Sequence, residues 1–172
     1  QPRLAALARK NVDENQLAAR VTVVEADLAD AAAARAALPG ASFDLALSNP
    51  PYRPLGEGDC NPDDEQAIAR HELRLTLSQL LAEIRRALAP NARAALIYPA
   101  ERLTSLLAAL DFEDLRPRRL RLVHPTPDQP ARRALIEARK GQRGNLVIES
   151  PLILRDSDGN YTPDARRALG ER

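Results

Sequence analysis

Several residue types are scarce in this chain of 172 residues. Methionine and tryptophan are absent, aromatic side chains make up 3% of the residues, and Cys60 is the only cysteine. One cysteine cannot form an internal disulfide, and it offers no spacing typical of a zinc site. No apolar run approaches the roughly 20 residues that a membrane span needs, and no signal-peptide pattern occurs. We therefore expect a cytoplasmic protein that has no metal site and no membrane partner.

The first residues of the chain show a related absence. Position 1 is not methionine, and the stretch from Pro2 to Glu14 already has the apolar spacing of a helix, with Pro2 suited to its first turn. We expect the true N-terminus to lie upstream. Residues 1–172 would then form one partial domain, since no linker, repeat or second domain is visible.

Charge is balanced over the chain but unevenly distributed. The formal net charge is +1. Acidic residues crowd between Glu57 and Glu72, whereas arginine dominates from Arg116 to Arg143. A basic segment of this kind suits a nucleic-acid partner, although a merely solvated basic face explains it equally well.

The most informative segment is the run Phe43-Asp44-Leu45-Ala46-Leu47-Ser48-Asn49-Pro50-Pro51-Tyr52. Two successive prolines cannot continue a central strand, because each lacks an N–H donor and has a fixed φ. The predicted strand therefore ends at Asn49, with an amide, backbone carbonyls and an aromatic ring at its C-terminal end. In open α/β sheets, ligands bind at that edge. These groups together can hold a planar amine such as the N6 edge of adenine.

Hydrophobic periodicity predicts an α/β fold. The order of strands and helices through the first 110 residues implies parallel βαβ units, and the closely spaced strands after them imply an antiparallel hairpin. Helices are expected over 2–14, 31–38, 63 or 64 to 88, and 101–110, with a weak one after the turn at 158–160. Strands are expected over 21–27, 43–48, 94–98, 119–124, 134–140 and 146–148.

An acid-terminated strand, a helix and a strand ending in Asn-Pro-Pro-Tyr resemble the class I S-adenosylmethionine-dependent methyltransferases. Within them, the chain most resembles the tRNA1(Val) (adenine(37)-N6)-methyltransferase family. The matching stretches are Val21–Leu28, Phe43–Tyr52, Ala69–Glu72, Ala138–Gly141, Pro151–Leu154 and Asp158–Thr162.

The resemblance implies a Rossmann-like sandwich with a mostly parallel sheet, an antiparallel C-terminal edge, and S-adenosylmethionine as cofactor. It also implies a tRNA substrate, methylated on N6 of adenine, with A37 of a valine tRNA as the expected position. The glycine-rich loop and the ribose-binding acid of such enzymes are missing from the sequence. We expect both upstream, so the isolated chain should not bind the cofactor normally.

The resemblance assigns the chemistry to the Asn-Pro-Pro-Tyr motif. Asn49 Oδ1 and the Pro50 carbonyl would accept the two N6 protons, Pro51 would stiffen the turn, and Tyr52 would stack on the base. Asn49 would also face the cofactor. A purely structural turn at the end of the strand is the alternative.

Asp27 and Leu28 are the further cofactor-binding candidates. By the resemblance, Asp27 would accept from the amino group of the cofactor's adenine, and Leu28 would add an N–H and an apolar contact. The alternative is that Asp27 caps the helix beginning near Ala31.

The RNA-contact candidates are basic. Arg70 and His71 would meet tRNA phosphate or fix the loop 53–62, and His71 is a weaker candidate for a catalytic base. The remaining candidates are Arg132, Arg133, Arg139, Lys140 and Arg143. Contacts of this type position an RNA without reading its sequence.

Other functions remain open at this stage. A release-factor glutamine methyltransferase shares the Asn-Pro-Pro-Tyr motif, and a DNA adenine methyltransferase would need a target-recognition domain that is not visible. A non-catalytic RNA-binding remnant is an alternative of a different class. We expect a monomer.

Overall fold

The computed structural model describes residues 1–50, 75–141 and 144–171. This part of the chain contains five α-helices, one short 3₁₀ helix (Ala100–Arg102) and six strands. The helices are α1 (Pro2–Glu14), α2 (Ala31–Ala37), α3 (Leu77–Ala87), α4 (Leu103–Phe112) and α5 (Pro163–Leu169). The strands are β1 (Phe43–Ser48), β2 (Leu88–Pro99), β3 (Leu115–His124), β4 (Arg133–Lys140), β5 (Val147–Ile148) and β6 (Leu152–Ile153).

The six strands form one mixed sheet in the order β1-β2-β4-β3-β5, with β6 also paired to β3. β1 and β2 are parallel, and β4 is antiparallel to both β2 and β3. β5 and β6 are parallel to β3. The expected Rossmann-like α/β architecture agrees with this topology, with one refinement. The strand that runs the other way, β4, lies inside the sheet between β2 and β3.

Helix starts follow local capping signals. Pro2 lies in the first turn of α1, and the Asp30 side chain accepts from the amides of Ala32 and Ala33 at the start of α2. Thr76 and Gln79 form a reciprocal capping box at the start of α3. Because Thr76 has extended backbone angles, a continuous helix from residue 63 or 64 to 88 is wrong. The portion of that predicted helix before residue 75 lies outside the described residues.

The hydrophobic core lies between one face of the sheet and the helices α3 and α4. Its fully buried members include Leu81, Leu106, Leu110, Leu115 and Ile136. The opposite face is open within the described part of the chain. Leu47, for example, is 75% exposed there. No described helix has the length and apolarity to cross a membrane.

The prediction of a strand over residues 21–27 is wrong. These residues have irregular backbone, and Val21 and Val24 are 42% and 45% exposed. A strand needs a ladder partner, and no described residue pairs with the outer edge of β1. β-branched composition alone therefore did not make this segment a strand. The two-residue strand β6 was not predicted.

Candidate functional site

The Asn-Pro step follows directly after β1, as the sequence predicts. Ser48, the last residue of the strand, pairs with Leu96 of β2. Asn49 is exposed and Pro50 is buried. Anchoring on both sides, by the ladder and by the buried ring, fixes the backbone that carries the Asn49 side chain. Pro51 and Tyr52 lie outside the described residues.

Asn49 also lines an open cavity of about 600 Å³ on the uncovered face of the sheet. The floor of this cavity is apolar, with Leu47, Ile97 and Leu135, and its rim is charged, with Arg119 and Glu149 among the rim residues. The Asn49 side chain is therefore reachable from solvent at the end of β1.

Sheet register determines which predicted site residues are near Asn49. The β2–β4 ladder pairs Pro99 with Arg133, at the end of the sheet where β1 and β2 have their carboxyl termini. Arg132 directly precedes β4, and its amide donates to the Val123 carbonyl at 2.9 Å. Arg132 and Arg133 therefore lie at the same edge of the sheet as Asn49.

Arg139 and Lys140 occupy the opposite end of β4. From Arg133 to Lys140 the strand advances about 23 Å, at roughly 3.3 Å per residue. Lys140 Nζ donates to the Leu88 carbonyl at 2.5 Å, and Arg139 Nε is 3.8 Å from Glu137 Oε1. The four described members of the predicted RNA-contact set thus do not form one surface. Arg70, His71 and Arg143 lie outside the described residues.

Carboxylates neutralise much of the basic charge on β2, β3 and β4. Glu137, whose side chain is 19% exposed, lies within 4.0 Å of Arg93, Arg119 and Arg139. Arg119 also contacts Glu149 at 2.5 Å, and Arg121 Nη2 contacts Asp164 at 3.0 Å. The hydrogen bonds from Arg121 and Arg167 hold the pKa of Asp164 below its usual range. Composition did not reveal these pairs, since their partners are far apart in sequence.

Asp27 does not cap α2, so the capping alternative is wrong. Its Oδ1 accepts from the amide of Ala29 at 2.9 Å, and the cap is Asp30. Leu28 is half-buried against the core. An exposed carboxylate is thus fixed in a turn beside a half-buried leucine.

The segment that joins β3 to β4 is ordered by its own side chains. His124 Nδ1 is 2.8 Å from the Gln129 carbonyl, and the Thr126 hydroxyl donates to Asp128 Oδ1 at 2.6 Å. That hydroxyl, helped by the Asp128 amide, lowers the pKa of the Asp128 carboxyl. The turn therefore has a fixed shape beside Arg132.

Arg155 is a residue at this edge that the sequence did not single out. Its guanidinium lies 4.2 Å from the centroid of the Tyr161 ring, and its Nη1 donates to the Gly159 carbonyl at 2.6 Å. The Arg155–Tyr161 pairing across an Asp-Gly turn was the available signal. Among the residues that the structure describes, no group of three His, Cys, Asp or Glu side chains could hold a metal ion.

No family model matches the chain. Individual relatives do match. The chain is 36% identical over 132 residues to a tRNA1(Val) (adenine(37)-N6)-methyltransferase of Parabacteroides distasonis, covering 76% of this chain and 52% of that protein. It is 30% identical over 165 residues to the protein of the same name from Shewanella loihica, covering 94% of this chain and 67% of that protein.

A solved structure agrees with these relatives. A predicted O-methyltransferase from Agrobacterium tumefaciens superimposes with a TM-score of 0.75 at 25% identity, over 99% of this chain and 74% of that one. The chain spans about half the length of the Parabacteroides relative and two thirds of the Shewanella one. The identity, the extent of the match and the shared fold establish that the chain belongs to the tRNA1(Val) (adenine(37)-N6)-methyltransferase family.

Proposed function

We propose that the protein transfers a methyl group from S-adenosylmethionine to N6 of an adenine in tRNA. The observation that carries this proposal is the position of Asn49 and Pro50. They follow β1 at the carboxyl edge of the sheet, with Asn49 exposed and Pro50 buried. Ligands of open α/β sheets bind at this edge. The names of the relatives support adenine N6 in tRNA as the acceptor, at A37 of a valine tRNA.

Asn49 and Pro50 would act on the acceptor amine. The N6 lone pair of adenine is delocalised into the ring, which makes the amine a poor nucleophile. Acceptance of its two N–H bonds by Asn49 Oδ1 and the Pro50 carbonyl favours a more tetrahedral nitrogen and fixes the direction of its lone pair. This is catalysis by orientation and by hydrogen bonds that strengthen as positive charge develops on nitrogen. No strong general base is required, because the proton leaves after transfer.

Two neighbours in the motif would complete the base site. Pro51 would limit the motion of the turn, and Tyr52 would stack on the adenine ring, a contact worth about 1–3 kcal/mol per base. An adenine in an anticodon loop can reach such a site only when it is splayed out of its stack. A single-stranded loop makes that step less costly than a duplex does.

The cofactor supplies an electrophilic methyl group. Asp27 and Leu28 would hold its adenine, since the Asp27 carboxylate is exposed and its Oδ1 is positioned by the Ala29 amide. One carboxylate oxygen can accept from the exocyclic amine while the half-buried Leu28 offers an apolar contact.

The decisive variant is Asn49→Ala in the full-length protein. Loss of an acceptor used in the transition state lowers kcat by about 10²–10³-fold. Affinity for tRNA should stay within about threefold, since phosphate contacts supply most of it. Asn11→Ala, which removes the same group from an exposed position of α1, is the matched control and should retain wild-type kcat.

Nucleoside mass spectrometry identifies the product. N6-methyladenosine should appear in tRNA incubated with the wild-type protein and fall to background with Asn49→Ala. Full activity of Asn49→Ala would contradict the acceptor role. Methylation of a release-factor glutamine, with no methylated tRNA, would replace this proposal by the glutamine methyltransferase.

A further inference from the structure

The carboxyl edge of the sheet carries three arginines in a row. Arg133 begins β4, and Arg132 is tied to the end of β3 by its amide. On the other side of β3, the amides of Leu154 and Arg155 donate to the carbonyls of His124 and Pro125, each at 2.9 Å. Arg132 and Arg155 therefore flank the end of β3. We name Arg132, Arg133 and Arg155 the edge arginines.

Strand order sets their lateral distances from Asn49. The order along this edge is β1, β2, β4, β3 and then β6. At about 4.8 Å between neighbouring strands, Arg133 lies roughly 10 Å and Arg155 roughly 19 Å to the side of Asn49. The edge arginines thus extend away from the candidate base site in one direction.

Their surroundings differ from those of the other arginines on the sheet. The guanidinium groups of Arg132 and Arg155 are paired with no carboxylate among the described residues, whereas Arg93, Arg119 and Arg139 surround Glu137. The neighbouring acids Asp128 and Asp156 accept hydrogen bonds from the Thr126 hydroxyl and from the amides of Asp158 and Asn160. Within the described part of the chain, neither forms an ion pair with Arg132 or Arg155. Positive charge is therefore more available to a ligand at the carboxyl edge than on the sheet face.

The edge arginines are also partly preorganised. Arg133 Nη1 donates to the Arg132 carbonyl at 3.0 Å. The Arg155 guanidinium lies over the Tyr161 ring and donates to the Gly159 carbonyl. Held in this way, a guanidinium loses less side-chain entropy when it binds a phosphate.

We propose that the edge arginines contact successive phosphates of the RNA strand that delivers the target adenine to Asn49. This inference rests on the proposed function, and it narrows the predicted RNA-contact set. Arg132 and Arg133 stay in the contact row, Arg155 joins it, and Arg139 and Lys140 belong to the structure of the sheet. The contacts are to the backbone, so they position the strand without reading its sequence.

The test measures tRNA affinity as a function of salt, with the full-length protein and an unmodified valine tRNA transcript. Each single-strand phosphate contact contributes about 0.7 to the slope of log K against log[salt]. The double variant Arg132→Gln/Arg133→Gln should lower that slope by about 1.4 and weaken binding about tenfold. Arg155→Gln should lower the slope by about 0.7.

The matched control removes the same charge from the opposite edge. Arg35 is exposed on α2, and Arg93 pairs with Arg139 toward the end of the β2–β4 ladder opposite Arg133. Arg35→Gln/Arg93→Gln should leave the slope unchanged. Arg132→Lys/Arg133→Lys should restore most of the slope lost in the glutamine variant, which a merely structural defect would not allow. At saturating tRNA, kcat of the glutamine variant should stay within about twofold while KM rises.

The possible negative results refute different proposals. If Arg132→Gln/Arg133→Gln and Arg35→Gln/Arg93→Gln have the same salt slope of tRNA binding, the edge arginines do not contact phosphates. If the wild-type protein still methylates tRNA, that result leaves the proposed function unaffected. If lysine does not restore the slope, the phosphate role is refuted. A wild type that neither binds nor methylates tRNA would refute both proposals. An unchanged kcat of Asn49→Ala would refute the acceptor role alone.

Discussion

Arg86 of α3 should be a large contributor to stability, because its guanidinium donates three hydrogen bonds and two of them reach a second helix, α2. Its Nε donates to Glu83 Oε2 at 2.7 Å, its Nη1 to the Leu38 carbonyl at 3.0 Å, and its Nη2 to the Ala34 carbonyl at 3.2 Å. The last two are carbonyls at the C-terminal end of α2. Arg86 therefore ties α2 to α3 just before the chain enters β1, the strand that carries Asn49.

The expected cost of Arg86→Met follows from these three bonds. Hydrogen bonds that involve a charged group contribute about 1.5–3 kcal/mol when well shielded, and we take about 1 kcal/mol each because the Arg86 side chain is 24% exposed. The sum is about 3 kcal/mol. For a domain of this size, about 2–4 °C per kcal/mol converts this to a Tm lower by roughly 6–12 °C.

Thermal unfolding followed by circular dichroism measures the effect, and Arg85→Met is the control. Arg85 is the preceding residue of the same helix and is exposed. Its substitution should therefore change the free energy of unfolding by no more than about 0.5 kcal/mol. Arg86→Lys keeps the charge but not the fork of donors, and should recover less than half of the loss. Equal Tm values for Arg86→Met and Arg85→Met would show that the three contacts do not stabilise the fold.

Two further predictions concern the ionised side chains of Asp164 in α5 and Lys140 in β4. The pKa of Asp164 is lowered in the folded state by Arg121 and Arg167, so its contribution to stability is complete above the unfolded pKa of about 4 and is lost as pH falls through the lower folded value. Urea unfolding should show that Asp164→Asn destabilises the protein at pH 7 and that this loss becomes smaller as pH falls below about 4. A loss that does not change with pH would contradict the pairing. Lys140→Met should lower the free energy of unfolding by about 1–2 kcal/mol, because the Leu88 carbonyl loses its bond to Nζ, yet leave the salt slope of tRNA binding unchanged. A reduced slope would return Lys140 to the RNA-contact set.

The sequence predicts well those helices and strands whose ends are set by residues next to them in the chain. The helix Pro2–Glu14 and the strand Phe43–Ser48 have the predicted bounds. A proline in the first turn starts the helix, and the Asn-Pro step ends the strand. The position of Asn49 in the candidate site is therefore predicted correctly as well, because it depends on where β1 ends.

Elements whose existence depends on distant partners were predicted less well. The segment over 21–27 has strand composition without a ladder partner among the described residues. The two-residue strand β6 exists because β3 offers it an edge, which no short pattern can show. The start of α3 is a different case, since Thr76 and Gln79 have the sequence spacing of a capping box, which marks a helix start by itself.

The basic segment shows why charge composition alone could not identify an RNA surface. Arg119 contacts Glu149, 30 residues away, and Arg121 contacts Asp164, 43 residues away. Such pairs are set by strand order, and they remove part of the charge that composition assigns to the surface.

The direction of β4 also determines which basic residues lie near the candidate site. Because β4 runs antiparallel to β2, its first residue reaches the edge that carries Asn49, and its last residue reaches the opposite edge. If β4 ran parallel to β2, Arg139 and Lys140 would be near the site, and Arg132 and Arg133 would be remote. The direction of one strand thus decides which half of a basic segment can contact a substrate held at Asn49.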